Sequence, residues 1–263
     1  MQNSNSYTLI TGGTSGIGYE LAKIFASNGH NLILVARDEA ELSKVKQELT
    51  SSTVDVITIS KDLFETDAAF ALHQEVTRQG YDVDILVNNA GQGVYGLFED
   101  TDIRRELAIV QLNISSLIVL TKLFVKDFLA RGEGKILNLS SIASKAPGPW
   151  QSVYHGTKAF VQSFTEAIRN ELKDQHITVT ALLPGATDTD FFDKADMLES
   201  KAVQDRDKLS NPEDVAMDGY KALMAGDDMV VSGFKNKVTV AMGGVMPDSV
   251  KAAQTDKQQK PIN

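Results

Sequence analysis

An α/β fold is what this sequence predicts: one domain built on a doubly wound, seven-stranded parallel sheet with helices on both faces. Three observations carry that expectation. Short runs rich in Val, Ile and Leu alternate with stretches of helical period, the pattern of successive βαβ units. The runs are nearly all apolar instead of alternating, so the sheet is covered on both sides. No linker, repeat or shift in composition divides the 263 residues, of which 42% are hydrophobic, enough for one large core.

The strands are expected at Tyr7 to Thr11, Asn31 to Ala36, Val54 to Ile59, Ile85 to Asn88, Lys135 to Leu139, Thr178 to Leu183 and Met229 to Val231. Between the first two, Ile17, Leu21, Ile24 and Phe25 form the buried stripe of a helix. From about Asp102 to Ala130 a long helix is apolar on several sides (Leu107, Ile114, Leu117, Ile118, Phe124, Phe128). Either one face meets the sheet and another a neighbouring chain, or the whole helix is deeply buried. Phe160, Phe164, Ile168 and Leu172 repeat every four residues on a later helix. The domain is placed at 1–250, and the polar stretch 251–263 (KAAQTDKQQKPIN) is expected to fray.

Charge and composition narrow the chemistry. A net charge of −9 works against nucleic acid and anionic membranes as partners. Without cysteine there is no disulfide framework or thiolate metal site, and His30, His73, His155 and His176 lack ligand spacing, so no metal is expected. Met1 to Ser6 is polar, without signal-peptide character. The charge-free stretch Leu107 to Thr121, 15 residues broken by Gln111, Asn113 and two serines, is too short and polar to span a bilayer. A soluble cytoplasmic protein is the expectation.

Directly after the first strand comes TGGTSGIG, in which Gly12, Gly16 and Gly18 open the first helix. Glycines there let the backbone turn tightly and approach a pyrophosphate, which the exposed N–H groups and the helix dipole favour. Thr14, Ser15 and Ile17 belong to the same loop.

The TGxxxGxG spacing, Asn88-Asn89-Ala90-Gly91 after the fourth strand, Ser141, Tyr154 and Lys158 as YxxxK, and Pro184-Gly185 with Thr189 run in order from Thr11 to Thr189. In these motifs the chain resembles the short-chain dehydrogenase/reductases, single-domain Rossmann-fold enzymes of about 250 residues. The resemblance implies an NAD(P) site formed by the glycine loop, Asp62 and Leu63 at the adenine, Asn89, Ala90 and Gly91 beside the central sheet, and Pro184, Gly185, Thr187 and Thr189 at the nicotinamide. Asp62 has a second reading, as the cap of a helix beginning near Glu65.

The same resemblance implies four catalytic residues, Asn113, Ser141, Tyr154 and Lys158. Hydride delivered to a carbonyl carbon leaves charge on oxygen that must be protonated as it forms. Tyr154 and Lys158, four apart, share one helix face, so the ammonium can stabilise the phenolate of the proton donor. Lys158 would also hold the nicotinamide ribose, Ser141 the carbonyl oxygen, and Asn113, through its backbone carbonyl, a relay water. His155, adjacent to Tyr154, faces elsewhere and is read as structural.

At the end of the second strand, where NAD-binding sites place an acid, stands Ala36, followed by Arg37. Arg37 either meets the 2′-phosphate of NADP(H) or pairs with Asp38, Glu39 or Glu41; the NADP reading is adopted. Loops at Gly93 to Tyr95, Ile142 to Trp150 and Phe191 to Met197 are expected around a largely apolar pocket with Trp150, Phe191, Phe192 and Met197, under a mobile lid at about 189–210. Beyond Gly233, apolar Val238, Val240, Met242, Val245 and Met246 suit a helix over the pocket or an oligomer contact.

The function expected is NADPH-dependent reduction of a ketone, aldehyde or 3-oxo group, reversible to secondary-alcohol oxidation, in a homodimer or homotetramer joined through the long helix and the one near Tyr154. The alternatives are a non-catalytic dinucleotide sensor, against which Tyr154 and Lys158 speak, and an enoyl reductase or sugar epimerase.

Overall fold

Parallel strands buried on both faces need covering helices, and the order of the elements supplies them in turn. The computed structural model describes residues 6–244 and 246–262; Met1 to Asn5, Val245 and Asn263 lie outside them. Strands β1 (Ser6–Thr11), β2 (Asn31–Ala36), β3 (Val56–Ser60), β4 (Asp82–Asn88), β5 (Gly134–Leu139), β6 (Ile177–Leu183) and β7 (Met229–Val231) form one parallel sheet in the order β3-β2-β1-β4-β5-β6-β7. Leu9 lies between Ile33 of β2 and Leu86 of β4, so the chain reverses its winding between β1 and β4. Ligand crevices open at such a switch point, beyond the carboxyl ends of the strands.

Helices α1 (Gly16–Ser27), α2 (Glu39–Leu49) and α8 (Pro212–Ala225) cover one face through Leu21, Phe25, Leu42 and Val215. The other is covered by α3 (Ala68–Gln79), α5 (Leu117–Arg131) and α6 (Ser152–Leu172), through Leu72, Phe124, Phe128 and Leu172. Alternation shows within the strands: Leu9 and Leu86 join the second layer, Ile10 and Val87 the first. Local chemistry sets the ends: Asp38 caps α2, accepting from Ala40 N and Glu41 N, and Asn211 caps α8 ahead of Pro212 at its first position. Gly80 ends α3 in the left-handed region, where a Cβ would be strained.

β4 starts three residues earlier than expected because its two acids are satisfied. Asp82 pairs with Arg131, and Asp84 accepts from the Ser6 hydroxyl at 2.9 Å. Inside the sheet, Asn88 donates to Thr121 and Asn138, and Asn138 donates to Thr165, which ties β4 and β5 to α5 and α6.

The expected long helix is one continuous rod, α4 (Ile103–Val110), a π-helical turn (Gln111–Ser116) and α5. At 29 residues it is long and apolar enough to cross a bilayer by length and composition, unlike the 15-residue stretch considered from sequence. One side is core here, with Leu112, Leu117, Leu120, Phe124 and Phe128 buried, while Ile103 and Leu107 are exposed.

The carboxyl-terminal stretch corrects an expectation. Instead of fraying, it continues through α9 (Phe234–Gly243) into α10 (Asp248–Gln259). The polar face of α10 is used: Trp150 Nε1 donates to Asp256, the Tyr95 hydroxyl and Ser200 Oγ both donate to Gln259 O, and Ile262 N donates to Glu199 O. Segment 189–210 forms α7 (Phe191–Lys194) and short 3₁₀ turns around its own small core of Phe192, Ala195, Met197 and Val203.

Candidate functional site

A cavity of about 860 Å³ opens above the carboxyl ends of β1, β4, β5 and β6. Of the residues expected to bind a dinucleotide or act on a substrate, every one lines it except Asn113.

Its floor at β1 is a cradle that only glycine permits. Gly12 and Gly16 have φ of 67° and 53°, and a Cβ on Gly18 would lie 2.1 Å from Gly12 O and 2.3 Å from Asn89 Nδ2. Asn89 holds the turn by donating to Thr11 O and Gly12 O, while Asn89 N and Ala90 N donate to Thr11 Oγ1. The first turn of α1 carries no acid and no side-chain cap, so its N–H groups remain available to an anion. Ser15 Oγ donates to Asp190 at 3.3 Å, and Thr189 Cγ2 stands 2.9 Å from where a Cβ on Gly16 would be, so the loop after β6 closes over the cradle. Within that loop the Thr187 hydroxyl donates to Gly185 O.

Arg37 pairs with no carboxylate among the described residues. Its guanidinium lies over the Phe64 ring, 5.2 Å from the centroid, and Asp38 is engaged in capping α2. Asp62 caps no helix: its carboxylate accepts from Phe64 N at 3.1 Å, and α3 begins only at Ala68. These residues fit the adenosine end of a dinucleotide, with an unpaired planar cation beside Ala36 and no acid at the end of β2.

At the other end, α6 presents Tyr154 and Lys158 one turn apart, with Lys158 Nζ 5.8 Å from the phenol ring centroid. Lys158 Nζ donates to Leu139 O at 2.8 Å. Burial pulls its pKa from 10.5 down to about 8. Burial also pushes the Tyr154 phenol up to about 12, against a smaller lowering by a hydrogen bond from Ser141. The ring keeps some accessible area because it faces the cavity, while the surrounding protein still desolvates the hydroxyl. Ser141 Oγ accepts from Ala143 N, and Pro184 O, 3.4 Å away, is the alternative acceptor for its single proton. The lowering of the phenol expected from Lys158 is not seen: burial sets the direction of the shift, and only the Ser141 hydroxyl opposes it.

Asn113 sits in the π-helical turn, at the kind of irregularity frequent at functional sites. Its side chain is fully engaged, donating to Gln92 O and Thr157 Oγ1 and accepting from Gln92 N. Only its backbone is left for the role expected of it.

The substrate end departs from expectation. Phe191, Phe192 and Met197 line it, but Trp150 does not; its ring stacks on Tyr95 at 5.7 Å. The lining is mostly apolar, as expected, and α10 adds polar groups that the sequence did not suggest, Lys251, Gln254, Gln258 and Gln259. His155 is structural, as its position suggested: Nδ1 donates to Ala146 O at 2.8 Å, and Nε2 accepts from Gln259 Nε2 at 3.2 Å. Burial lowers its pKa, which suits this neutral tautomer. Neither Phe64 nor the α10 glutamines carried a motif; only the aromatic two residues after Asp62 and the unusually polar tail were visible.

The lysine generates a stability prediction. Between about pH 8 and 10.5 the unfolded chain holds a proton that folded Lys158 lacks, so folding gains stability as pH rises through that window. Below it, the buried ammonium costs roughly 3 kcal/mol. In thermal melts, Lys158→Met should show its largest Tm advantage over the wild type at pH 7 and lose it by pH 10.5. A pH-independent difference would show that the buried charge carries no such cost.

Comparison with known proteins agrees with this geometry. A reductase from Chromohalobacter salexigens, sulfoacetaldehyde reductase 2, is 36% identical over 185 residues, 70% of this chain and 73% of that protein. Dehydrogenase/reductase SDR family member 7B of Bos taurus is 28% identical over 249 residues, 92% of this chain and 75% of its own length. A short-chain dehydrogenase from Sphingobium yanoikuyae in complex with NADPH superposes with a TM-score of 0.79 at 27% identity, covering 92% of this chain and 94% of that one. The short chain dehydrogenase family model matches residues 6–199, from the first strand past the loop that closes the cradle, and the protein therefore belongs to the short-chain dehydrogenase/reductase family of NAD(P)-dependent oxidoreductases.

Proposed function

We propose that the protein is an NADPH-dependent carbonyl reductase, taking a ketone, aldehyde or 3-oxo compound to an alcohol and running in reverse as a secondary-alcohol dehydrogenase. The observation that carries this reading is the pairing of a proton donor and a cation, Tyr154 and Lys158, on one buried helix face of a dinucleotide-shaped cavity. The nicotinamide, when bound, supplies the hydride. Tyr154 is fully protonated near neutrality, with its pKa at about 12, and so carries the proton the product oxygen needs. Lys158 offsets the charge left on the phenol, Ser141 donates to the substrate oxygen, and the Asn113 backbone carbonyl positions a water behind Lys158. Asp62, Leu63, Asn89, Ala90, Gly91 and the loop from Pro184 to Thr189 orient the cofactor, and segment 189–210 acts as the lid.

Preference for NADPH rests on Arg37. Its side chain pairs with no acid among the described residues and stacks on Phe64, which leaves its N–H fork for a 2′-phosphate. The NADPH complex of the structural neighbour supports this preference, and sulfoacetaldehyde reductase 2 among the relatives supports the reductase reading. Steady-state kinetics with one carbonyl substrate test both halves. Tyr154→Phe should lower turnover by about 10²–10⁴-fold with NADPH affinity nearly intact. Arg37→Ala should weaken NADPH by roughly 10- to 150-fold and NADH hardly at all, and Ala36→Asp should shift the preference further toward NADH. Near-normal activity in Tyr154→Phe sinks the mechanism, and equal losses for both cofactors in Arg37→Ala assign that residue to the fold.

We also propose a homodimer or homotetramer in the cytoplasm, joined through the α4–α5 rod and α6. Exposed Ile103, Leu107 and Phe160 on those helices support it. Light scattering at micromolar concentration should give two or four times the 28.6 kDa chain mass; a monomer contradicts this.

A further inference from the structure

Helix α9 presents its apolar side to the outside. None of its described residues is buried, and Phe234, Val238 and Met242, one turn apart, form a stripe that is 81%, 41% and 62% exposed. Phe234 is the most exposed large apolar side chain among the described residues. The fold uses the opposite side of the helix. Val240 packs against Ala181, Leu183 and Val231, and Asn236 donates to Ser232 O at 2.7 Å while filling the space beside Gly185, where a Cβ would lie 2.4 Å from its Nδ2. Thr239, Val240 and Gly243 line the cavity. α9 is therefore a wall of the cavity whose outer surface is apolar and uncovered, the reverse of an ordinary surface helix.

The charge around the stripe has one sign. At helical spacing Lys235 and Lys237 fall on its two edges, both exposed and neither in an ion pair among the described residues. They are the only charged residues between Asp228 and Asp248, in a chain of net charge −9. The net charge does not decide what this patch meets, because exposed charges more than about 8 Å away are screened at physiological salt. An apolar stripe edged by lysines is the pattern of a helix lying in the plane of a membrane interface, its apolar side chains below the headgroups and its ammonium groups among them. A second copy of the same surface fits less well. Two α9 stripes related by a two-fold axis would bring four lysines together with no carboxylate on either exposed face.

We propose that the outer face of α9 docks the protein reversibly on an anionic lipid surface. Phe234, Val238 and Met242 enter the boundary between headgroups and acyl chains, and Lys235 and Lys237 meet the lipid phosphates. Apolar burial and electrostatic attraction are the two terms that set the binding of such a helix, and α9 offers both on one face. So docked, α9 lies between the lipid and the cavity, which places the wall formed by Thr239, Val240 and Gly243 next to the membrane surface. The docking does not depend on the carbonyl-reductase reading.

Flotation of the full chain with phosphatidylcholine vesicles, with and without about one-third phosphatidylglycerol, tests this. The wild type should bind the anionic vesicles about 10-fold or more tighter than the neutral ones, and lose most of that difference at about 1 M salt. A lysine beside an anionic surface contributes roughly five-fold, so Lys235→Gln combined with Lys237→Gln should weaken binding to the anionic vesicles about 10- to 25-fold. Phe234→Ser combined with Met242→Ser should weaken binding to both kinds of vesicle about 10-fold or more. These four side chains lie outside the core and the cavity lining, so NADPH binding should stay unchanged as the check on folding. In Phe234→Trp, emission should shift to the blue when anionic vesicles are added, a shift absent from the wild type, whose only tryptophan is Trp150. No flotation of the wild type, equal binding to neutral and anionic vesicles, or variants that float like the wild type overturn the docking. If the wild type does not float and Phe234→Ser with Met242→Ser lowers the mass in light scattering, the stripe belongs to a second copy. None of these readouts involves turnover: a protein that floats but reduces no carbonyl keeps the docking and removes the reductase reading, and an active one that does not float does the converse.

Discussion

A lysine ammonium enclosed by protein and donating to a backbone carbonyl, Leu139 O, is the constraint around which the catalytic end is arranged. Burying such a charge is expensive, and it is tolerated only where the surrounding structure fixes it. The carboxyl end of β5 supplies Leu139 O, and Ser140 Oγ donates to Lys158 O, so strand and helix are bonded at both ends of the lysine. One residue earlier, Thr157 donates to Tyr154 O and accepts from Asn113, which links α6 to the π-helical turn. The sheet network of Asn88, Asn138 and Thr165 then holds β4 and β5 in register beneath it. Tyr154 is placed by the same bonds, since it shares the helix face one turn away.

Most of this order was legible in the chain. All seven strands were found because buried parallel strands are short apolar blocks, which leave a plain signal. The cradle was legible because Gly12, Gly16 and Gly18 are dictated by geometry: positive φ at two of them and a backbone oxygen 2.1 Å from a Cβ at the third. Arg37 was visible through the missing acid at position 36, although its stacking on Phe64 was not. The early start of β4 was hidden because Asp82 and Asp84 read as a polar boundary, and only their partners Arg131 and Ser6 make them strand residues.

What escaped was contact between distant parts of the chain. The final helix is almost wholly polar, and polarity alone reads as a fraying end. Its order comes from Trp150, Tyr95 and Ser200, residues 59 to more than a hundred positions away, which no local periodicity records. That helix adds three glutamines and one lysine, Lys251, to one wall of a pocket expected to be largely apolar. The side-chain contacts of Asn113 were also hidden: its amide is engaged by Gln92 and Thr157, which leaves the backbone carbonyl for the role expected of it.

Burial drives the two reacting groups apart, the phenol up to about 12 and the ammonium down to about 8, so near neutrality each is in its protonated form. The account therefore ties reduction to a charged Lys158. The most direct test is the pH profile of kcat/KM for a carbonyl substrate at saturating NADPH. It should be level toward neutrality and fall with unit slope above an apparent pKa of about 8. A rate that stays level to pH 10 would contradict the account, because a lysine so far into its deprotonated range could not be the charge on which Tyr154 depends.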